Sequence, residues 1–281
     1  MPLSHILPQL EINTTLARRV LVNFIRNEVH KVGFQRAVLG VSGGVDSALA
    51  AYLTAEALGG ENIKALRMPY KTSSPDSLEH AQMVIDALGL RSGTIEITAM
   101  VDPLFEQFPN MPPLRQGNIM ARQRMVILYD QSAEFNGLVI GTGNKTEMLL
   151  GYSTLFGDSA AALHPLGDLY KCQVRQLARD MGVPEAIIQK APSADLWPGQ
   201  TDEGELGYTY DEADQVLFLL IDRRYTREEV VQEGFAPAFV DRVYHTVRRT
   251  QYKRIMPLIP KLSSRTIGYD FLYLRDWGET G

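Results

Sequence analysis

Ser42-Gly43-Gly44-Val45-Asp46-Ser47 follows directly on the apolar run Ala37-Val38-Leu39-Gly40-Val41. Adjacent glycines let backbone N–H groups converge on an anion, and a helix beginning at once adds the positive end of its dipole. Ser42 and Ser47 supply hydroxyl donors, and Asp46 places a carboxylate where a phosphate-bound Mg²⁺ takes a ligand. The chemistry predicted is the holding of a phosphate or pyrophosphate. A Walker A loop is excluded, because no Gly-Lys-Ser/Thr follows the spacer. An ordinary helix-capping turn explains Ser-Gly-Gly alone; the whole hexapeptide behind a strand argues against that plainer explanation.

Further candidates lie downstream. Glu147 follows Gly141-Thr142-Gly143-Asn144 at the start of a helix, where its carboxylate either reaches the same crevice as Asp46 or merely matches the helix dipole. Thr142 ends the preceding strand and is suited to hydrogen-bonding a nucleotide. Asn118 and Arg122, four residues apart, share a helix face that could meet a phosphate or carboxylate, or simply face solvent. Gly141-Thr142-Gly143 is not a dinucleotide fingerprint, since Thr146 stands where the third glycine would be. Cys172 reads as structural, with no His or Asp pattern to make it a nucleophile, and the five histidines show no zinc spacing.

Positioning these groups requires alternating strands and helices. Asn13 caps a helix to about residue 31, with Leu16, Val20, Phe24 and Val29 near one face. Strands are predicted at 37–41, 63–68, 94–97 and 137–141, and helices at 45–58, from 74–76 to 88, at 118–135 and after residue 144. Residues 103–113, with four prolines, read as a connector. This rhythm predicts an α/β fold: a doubly wound, mostly parallel sheet with helices on both faces and ligands at the carboxyl ends of the strands. Beyond about residue 151 come a loop-like stretch to 170, a helix at 171–181, a polar lid-like segment at 192–210, and a helical C-terminal tail at 211–220, 227–233 and 237–249. No internal repeat or linker appears, so residues 1–281 are expected to form one domain.

With 45% hydrophobic and 22% charged residues, the composition is that of a globular chain with a sizeable core. No apolar run approaches a membrane span, and the N-terminus lacks a secretory pattern. A single cysteine agrees with a reducing cytoplasm. A net charge of −5 argues against nucleic acid as a partner.

The loop at 42–47 resembles the pyrophosphate loop of the N-type ATP pyrophosphatases, which split ATP into AMP and pyrophosphate. Five further segments, in order, resemble NAD synthetases over nearly the whole chain. They are 117–125, 141–147, Gly151-Tyr152-Ser153-Thr154-Leu155-Phe156-Gly157-Asp158, Pro165-Leu166-Gly167-Asp168-Leu169-Tyr170-Lys171, and 191–196 with 202–207. The resemblance implies an adenine nucleotide alpha hydrolase-like fold. It also implies ATP-dependent amidation of deamido-NAD by ammonia, through an adenylate, with release of AMP and pyrophosphate. It assigns ATP to Gly40, Val41, the 42–47 loop, Arg67, Thr142, Lys171 and Ser193. It assigns deamido-NAD to Asn118, Arg122, Tyr152, Asp158, Tyr252 and Lys253. Asp46 and Glu147 are the implied Mg²⁺ ligands, with Asp46 and Lys171 catalytic through charge neutralisation of the leaving pyrophosphate.

The family pattern has Lys where this chain has Leu155, Asp where it has Ala162, and His where it has Tyr252, all at positions touching deamido-NAD. Ammonia is expected free or from a separate partner, because Cys172 lies outside any glutaminase-like motif, and a homodimer is expected by resemblance. The competing expectations are another N-type ATP pyrophosphatase acting on a different acid, and a non-catalytic nucleotide sensor.

Overall fold

The computed structural model describes residues 5–193, 195, 199–255 and 257–272. Four parallel strands, β1 (Ala37–Gly40), β2 (Ile63–Arg67), β3 (Arg91–Thr94) and β4 (Leu138–Val139), form a sheet in the order β3-β2-β1-β4. Ala37 of β1 pairs with Ile63 of β2 on one side and with Leu138 of β4 on the other.

Alternation along β1 explains the layering. Ala37 and Leu39 point into one apolar cluster, whereas Val38 points into another on the opposite face. The first cluster is covered by α1 (Thr14–Lys31), α2 (Val45–Leu58), α3 (Pro75–Leu88), α7 (Lys171–Asp180) and α8 (Glu185–Ile188). The second is covered by α4 (Thr98–Gln107) and α5 (Pro113–Phe135). The sheet is therefore doubly wound, as the strand–helix rhythm requires. The chain runs outward from β1 to β3 and then returns to the far side of β1 as β4. That reversal opens a crevice at the carboxyl ends of β1 and β4, where loop 42–47 and Thr142 emerge.

After α6 (Lys145–Leu150) the chain makes the expected irregular stretch to Tyr170. The C-terminal helices α9 (Asp202–Leu206), α10 (Tyr210–Leu217), α11 (Arg227–Gln232) and α12 (Pro237–Arg249) form a third cluster with Ile6, Leu10, Leu150 and Tyr170. The tail thus packs on α6 and α7, which border the crevice.

Three expectations are corrected. The third strand is at 91–94 rather than 94–97. As an edge strand it is polar and mostly exposed, so its sequence hides it, while Ile95 and Ile97 pack beneath the sheet and still donate to the carbonyls of Arg67 and Pro69. The long helix starts at Pro113, five residues before Asn118, because proline suits the first helical turn, and part of the presumed connector is α4. On α1 the buried face is Val22, Ile25 and Val29; Leu16, Val20 and Phe24 are exposed.

Candidate active site

Loop 42–47 is braced by its own hydroxyls. The Ser42 amide donates to Ser47 Oγ at 3.2 Å, the two Oγ atoms lie 3.1 Å apart, and Ser47 Oγ donates to the Gly44 carbonyl at 3.0 Å. Gly43 adopts φ +80°, and a Cβ there would stand 2.2 Å from the Ser77 carbonyl oxygen, so the turn admits only glycine. Ala48 makes the first helical bond of α2, to the Gly44 carbonyl. The amides of Val45, Asp46 and Ser47 precede it and have no intrahelical acceptor, which leaves them for an anion.

Beside this cradle three charges meet. The Lys171 ammonium, at the first residue of α7 and only 3% exposed, donates to Asp46 Oδ2 and, at 3.1 Å, to Glu147 Oε1. Asn144 Nδ2 donates to Asp46 Oδ1 at 2.8 Å, and Asn144 caps α6 in a reciprocal box with Glu147. Glu147 therefore fulfils both readings of its position, helix-terminal partner and crevice carboxylate. Burial opposes the charge on Lys171, but the Asp46 and Glu147 carboxylates outweigh it and hold the ammonium above the ordinary lysine value. Burial also pushes the Glu147 carboxyl up to about 7, against the pull of Lys171 and with the push of the Asp46 charge. The Tyr210 ring lies under the ammonium, 5.0 Å from Nζ to centroid.

The cradle and the charge cluster open into a cavity of about 960 Å³, ample for a nucleotide with a second substrate. Its far wall is built from α5 and the loop after α6. Asn118, inside α5 rather than at its start, accepts a hydrogen bond from Thr154 Oγ1 at 2.8 Å, which leaves its amide nitrogen for the cavity. Arg122 Nε donates to the Leu155 carbonyl at 3.2 Å, fixing the guanidinium at the wall. Asp158 accepts from the Thr154 amide at 2.7 Å. Lys253 donates to the carbonyls of Gly151 and Ser153 at 2.7 and 2.6 Å, clamping the C-terminal segment to this loop. The Tyr152 hydroxyl lies 3.0 Å from Asp202 Oδ1 and 3.2 Å from Glu205 Oε2.

A roof crosses the cradle. Asp195 accepts from the Ser74 amide at 3.0 Å and from Ser77 Oγ at 3.1 Å, and Lys190 Nζ donates to Ser77 Oγ at 2.8 Å. Ala194 and Leu196, part of the same motif, lie outside the described residues. Arg67 lines the cavity with its Nε buried and unpartnered among the described residues, a donor that a bound molecule could use.

All the residues that the resemblance assigns to ATP, deamido-NAD or Mg²⁺ line this one cavity except Gly43, whose part is the turn itself. Of the three departures, Leu155 and Tyr252 line it, whereas Ala162 is exposed elsewhere. Sequence reasoning missed Asn144, Lys190, Asp195, Asp202 and Tyr210 as parts of the site. The Asn144–Glu147 capping spacing was a usable signal for the first. Asp195 and Asp202 fall inside the 191–196 and 202–207 motifs, which were a signal for them, whereas Lys190 and Tyr210 arrive by long-range packing that no local pattern announces.

The profile of the NAD synthase family matches residues 17–257. An NH₃-dependent NAD⁺ synthetase of Chlorobaculum parvum is 55% identical over 270 residues, covering 96% of this chain and 98% of the relative. Among solved structures, the NMN synthetase of Francisella tularensis superposes with a TM-score of 0.79 at 32% identity, over 90% of this chain and 100% of the other. The NH₃-dependent NAD synthetase of Campylobacter jejuni does so with 0.76 at 34%, over 89% and 100%. With its phosphate-type loop, charge cluster and doubly wound sheet all in place, this chain belongs to the NAD synthase family.

Proposed function

We propose that the chain amidates deamido-NAD to NAD with ammonia, activating the nicotinate carboxylate with ATP and releasing AMP and pyrophosphate. The observation that carries this reading is the Lys171 ammonium held between Asp46 and Glu147 beside the 42–47 cradle. A carboxylate is a poor electrophile until its oxygen becomes part of a good leaving group. Adenylation achieves that, and pyrophosphate departure then demands fixed positive charge at the phosphate cradle. Lys171 and the first amides of α2 supply it. Ammonia attacks the activated carbonyl without needing an activated protein nucleophile, which suits a cavity with no Cys or His among its described lining residues.

Asp46 and Glu147 have the donor types for Mg²⁺: two carboxylates, both paired with the Lys171 ammonium, at the wall of a cavity large enough for a nucleotide. Among the described residues no cluster of three or more such ligands forms, so phosphate oxygens and water would complete an octahedral shell. Mg²⁺ held there would neutralise charge on the departing pyrophosphate. ATP is assigned to the half of the cavity formed by Gly40, Val41, the cradle, Arg67, Thr142, Lys171 and Ser193. Deamido-NAD is assigned to the half formed by Asn118, Arg122, Tyr152, Asp158, Tyr252 and Lys253.

The reading extends to a homodimer in the cytoplasm. It is supported by the exposed Leu114, Val126 and Tyr129 on α5 and by the lone cysteine. No helix among the described residues is long and apolar enough to cross a membrane.

A second reading, amidation of the mononucleotide counterpart, is favoured by Leu155 and Tyr252 at the dinucleotide wall and by the likeness to an NMN synthetase. The deciding experiment incubates the protein with ATP, Mg²⁺ and ammonium, with each acid in parallel. NAD and AMP formed in equal amounts and only with ammonium support the first reading. Product from the mononucleotide alone supports the second, and ATP binding with no product supports a nucleotide sensor.

A further inference from the structure

The helix α10 belongs to the C-terminal helical tail, and it carries a wholly buried carboxylate at its heart. Asp214 is 0% exposed and accepts from Thr146 Oγ1 at 2.5 Å and from the Cys172 amide at 2.8 Å. Thr146 Oγ1 in turn accepts from the Lys171 amide at 3.0 Å. These donors sit next to the two functional side chains in sequence: Thr146 precedes Glu147 on α6, and Cys172 follows Lys171 on α7. One carboxylate therefore ties together the two helices whose first turns carry Glu147 and Lys171.

Burying such a group away from water is expensive, and a merely structural contact between helices is made more cheaply by apolar side chains. Here the penalty is offset by hydroxyl and amide donors and by the positive end of α7. The same helix face helps from a second direction. Tyr210, four residues before Asp214, places its ring 5.0 Å from Lys171 Nζ, so α10 holds Lys171 at its backbone through Thr146 and at its ammonium through the ring.

We propose that Asp214, acting through Thr146 and the Cys172 amide, is the positioning residue that sets the distance between the Lys171 ammonium and the Glu147 carboxylate. Asp214 does not line the cavity. A displacement of about 1 Å at such a site costs on the order of 100-fold in rate, so loss of this tie falls on turnover more than on binding. The inference deepens the proposed function and rests on its assignment of Lys171 and Glu147.

The test is a series of variants read in two ways. Asp214→Asn keeps shape but offers one acceptor oxygen where Thr146 Oγ1 and the Cys172 amide meet two separate ones, and Thr146→Val removes the bridging hydroxyl that Thr146→Ser retains. The expected result is kcat lowered roughly 10- to 100-fold in Asp214→Asn and Thr146→Val, with the KM for ATP changed less than about 3-fold. Thr146→Ser keeps wild-type kcat, and the Asp214→Asn/Thr146→Val double variant is no worse than the poorer single one.

The second reading, independent of activity, is acylation of Lys171 by acetic anhydride, followed by mass spectrometry. It is expected to quicken several-fold in the two impaired variants and not in Thr146→Ser. Wild-type kcat and wild-type acylation in folded Asp214→Asn or Thr146→Val overturn the inference, as does Thr146→Ser as impaired as Thr146→Val. Should Asp214→Asn fail to fold, the Thr146 pair decides. A wild-type protein that makes no NAD counts against the proposed function alone, and the acylation rates then decide the inference.

Discussion

Lys171 donates to Glu147 Oε1 at 3.1 Å while the same ammonium holds Asp46, 125 residues away in the chain. Each of these residues stands in the first turn of its own helix, α7, α6 and α2, and all three helices begin at the crevice beside β1 and β4. The cluster carries a net charge of −1 when both carboxylates are ionised. On the proposed reading it takes up a cation and then a polyphosphate, while the two carboxylates favour the charged form of Lys171.

Asp46→Asn and Glu147→Gln each remove one negative partner while keeping shape. Turnover should fall roughly 100-fold or more in Asp46→Asn, the scale on which a charge-stabilising group acts in a water-poor site. Steady-state kinetics at saturating ATP checks this. Retained kcat in Asp46→Asn would exclude it from the charge machinery.

Glu147 also predicts a pH effect on stability. Its carboxyl rises from 4.5 to about 7 on folding, so the folded chain binds this proton more tightly than the unfolded one. The stability it contributes is complete below about 4.5 and is lost as pH rises through about 7. Glu147→Gln carries no such proton, so its melting temperature relative to the parent should climb between about pH 5 and about pH 8. Melting curves across that range would show a flat difference if the carboxyl were not raised.

Gly43→Ala places a methyl group against the Ser77 carbonyl in a left-handed backbone. The conformation alone costs about 1–2 kcal/mol, and relief of the clash moves α3 away from the cradle. We expect a lower melting temperature and ATP affinity reduced about 10-fold, read by calorimetric titration. Unchanged affinity would mean that the turn does not shape the anion site.

Leu155→Lys restores a cation to the dinucleotide wall. The KM for deamido-NAD should fall roughly 2- to 5-fold, the worth of a partly exposed ion pair, with the KM for ATP unchanged. An unchanged KM for both would mean that this position does not meet the dinucleotide in this chain.

Much of this was legible before any coordinates. The apolar run before loop 42–47 and the alternation of Ala37, Val38 and Leu39 specify a strand buried on both faces, and such a strand in a strand–helix series leads to a doubly wound sheet. The loop's glycines and serines announced a tight turn into a helix, and the turn forms there. Other features were hidden for physical reasons. β3 is an exposed edge strand, so its Arg91-Ser92-Gly93-Thr94 lacks an apolar signature. On α1, Leu16, Val20 and Phe24 share a helical face in sequence, but Val22, Ile25 and Val29 meet the core. Lys190 and Tyr210 reach the site by packing against α3 and α7, contacts with no local spacing to reveal them.

We propose that the substrate carboxylate joins the α-phosphorus of ATP before ammonia attacks. Deamido-NAD labelled with heavy oxygen in its nicotinate carboxylate tests it directly. The account predicts one labelled oxygen in the phosphate of the AMP for each NAD formed, detected by mass spectrometry. AMP free of label, with NAD still produced, would contradict it.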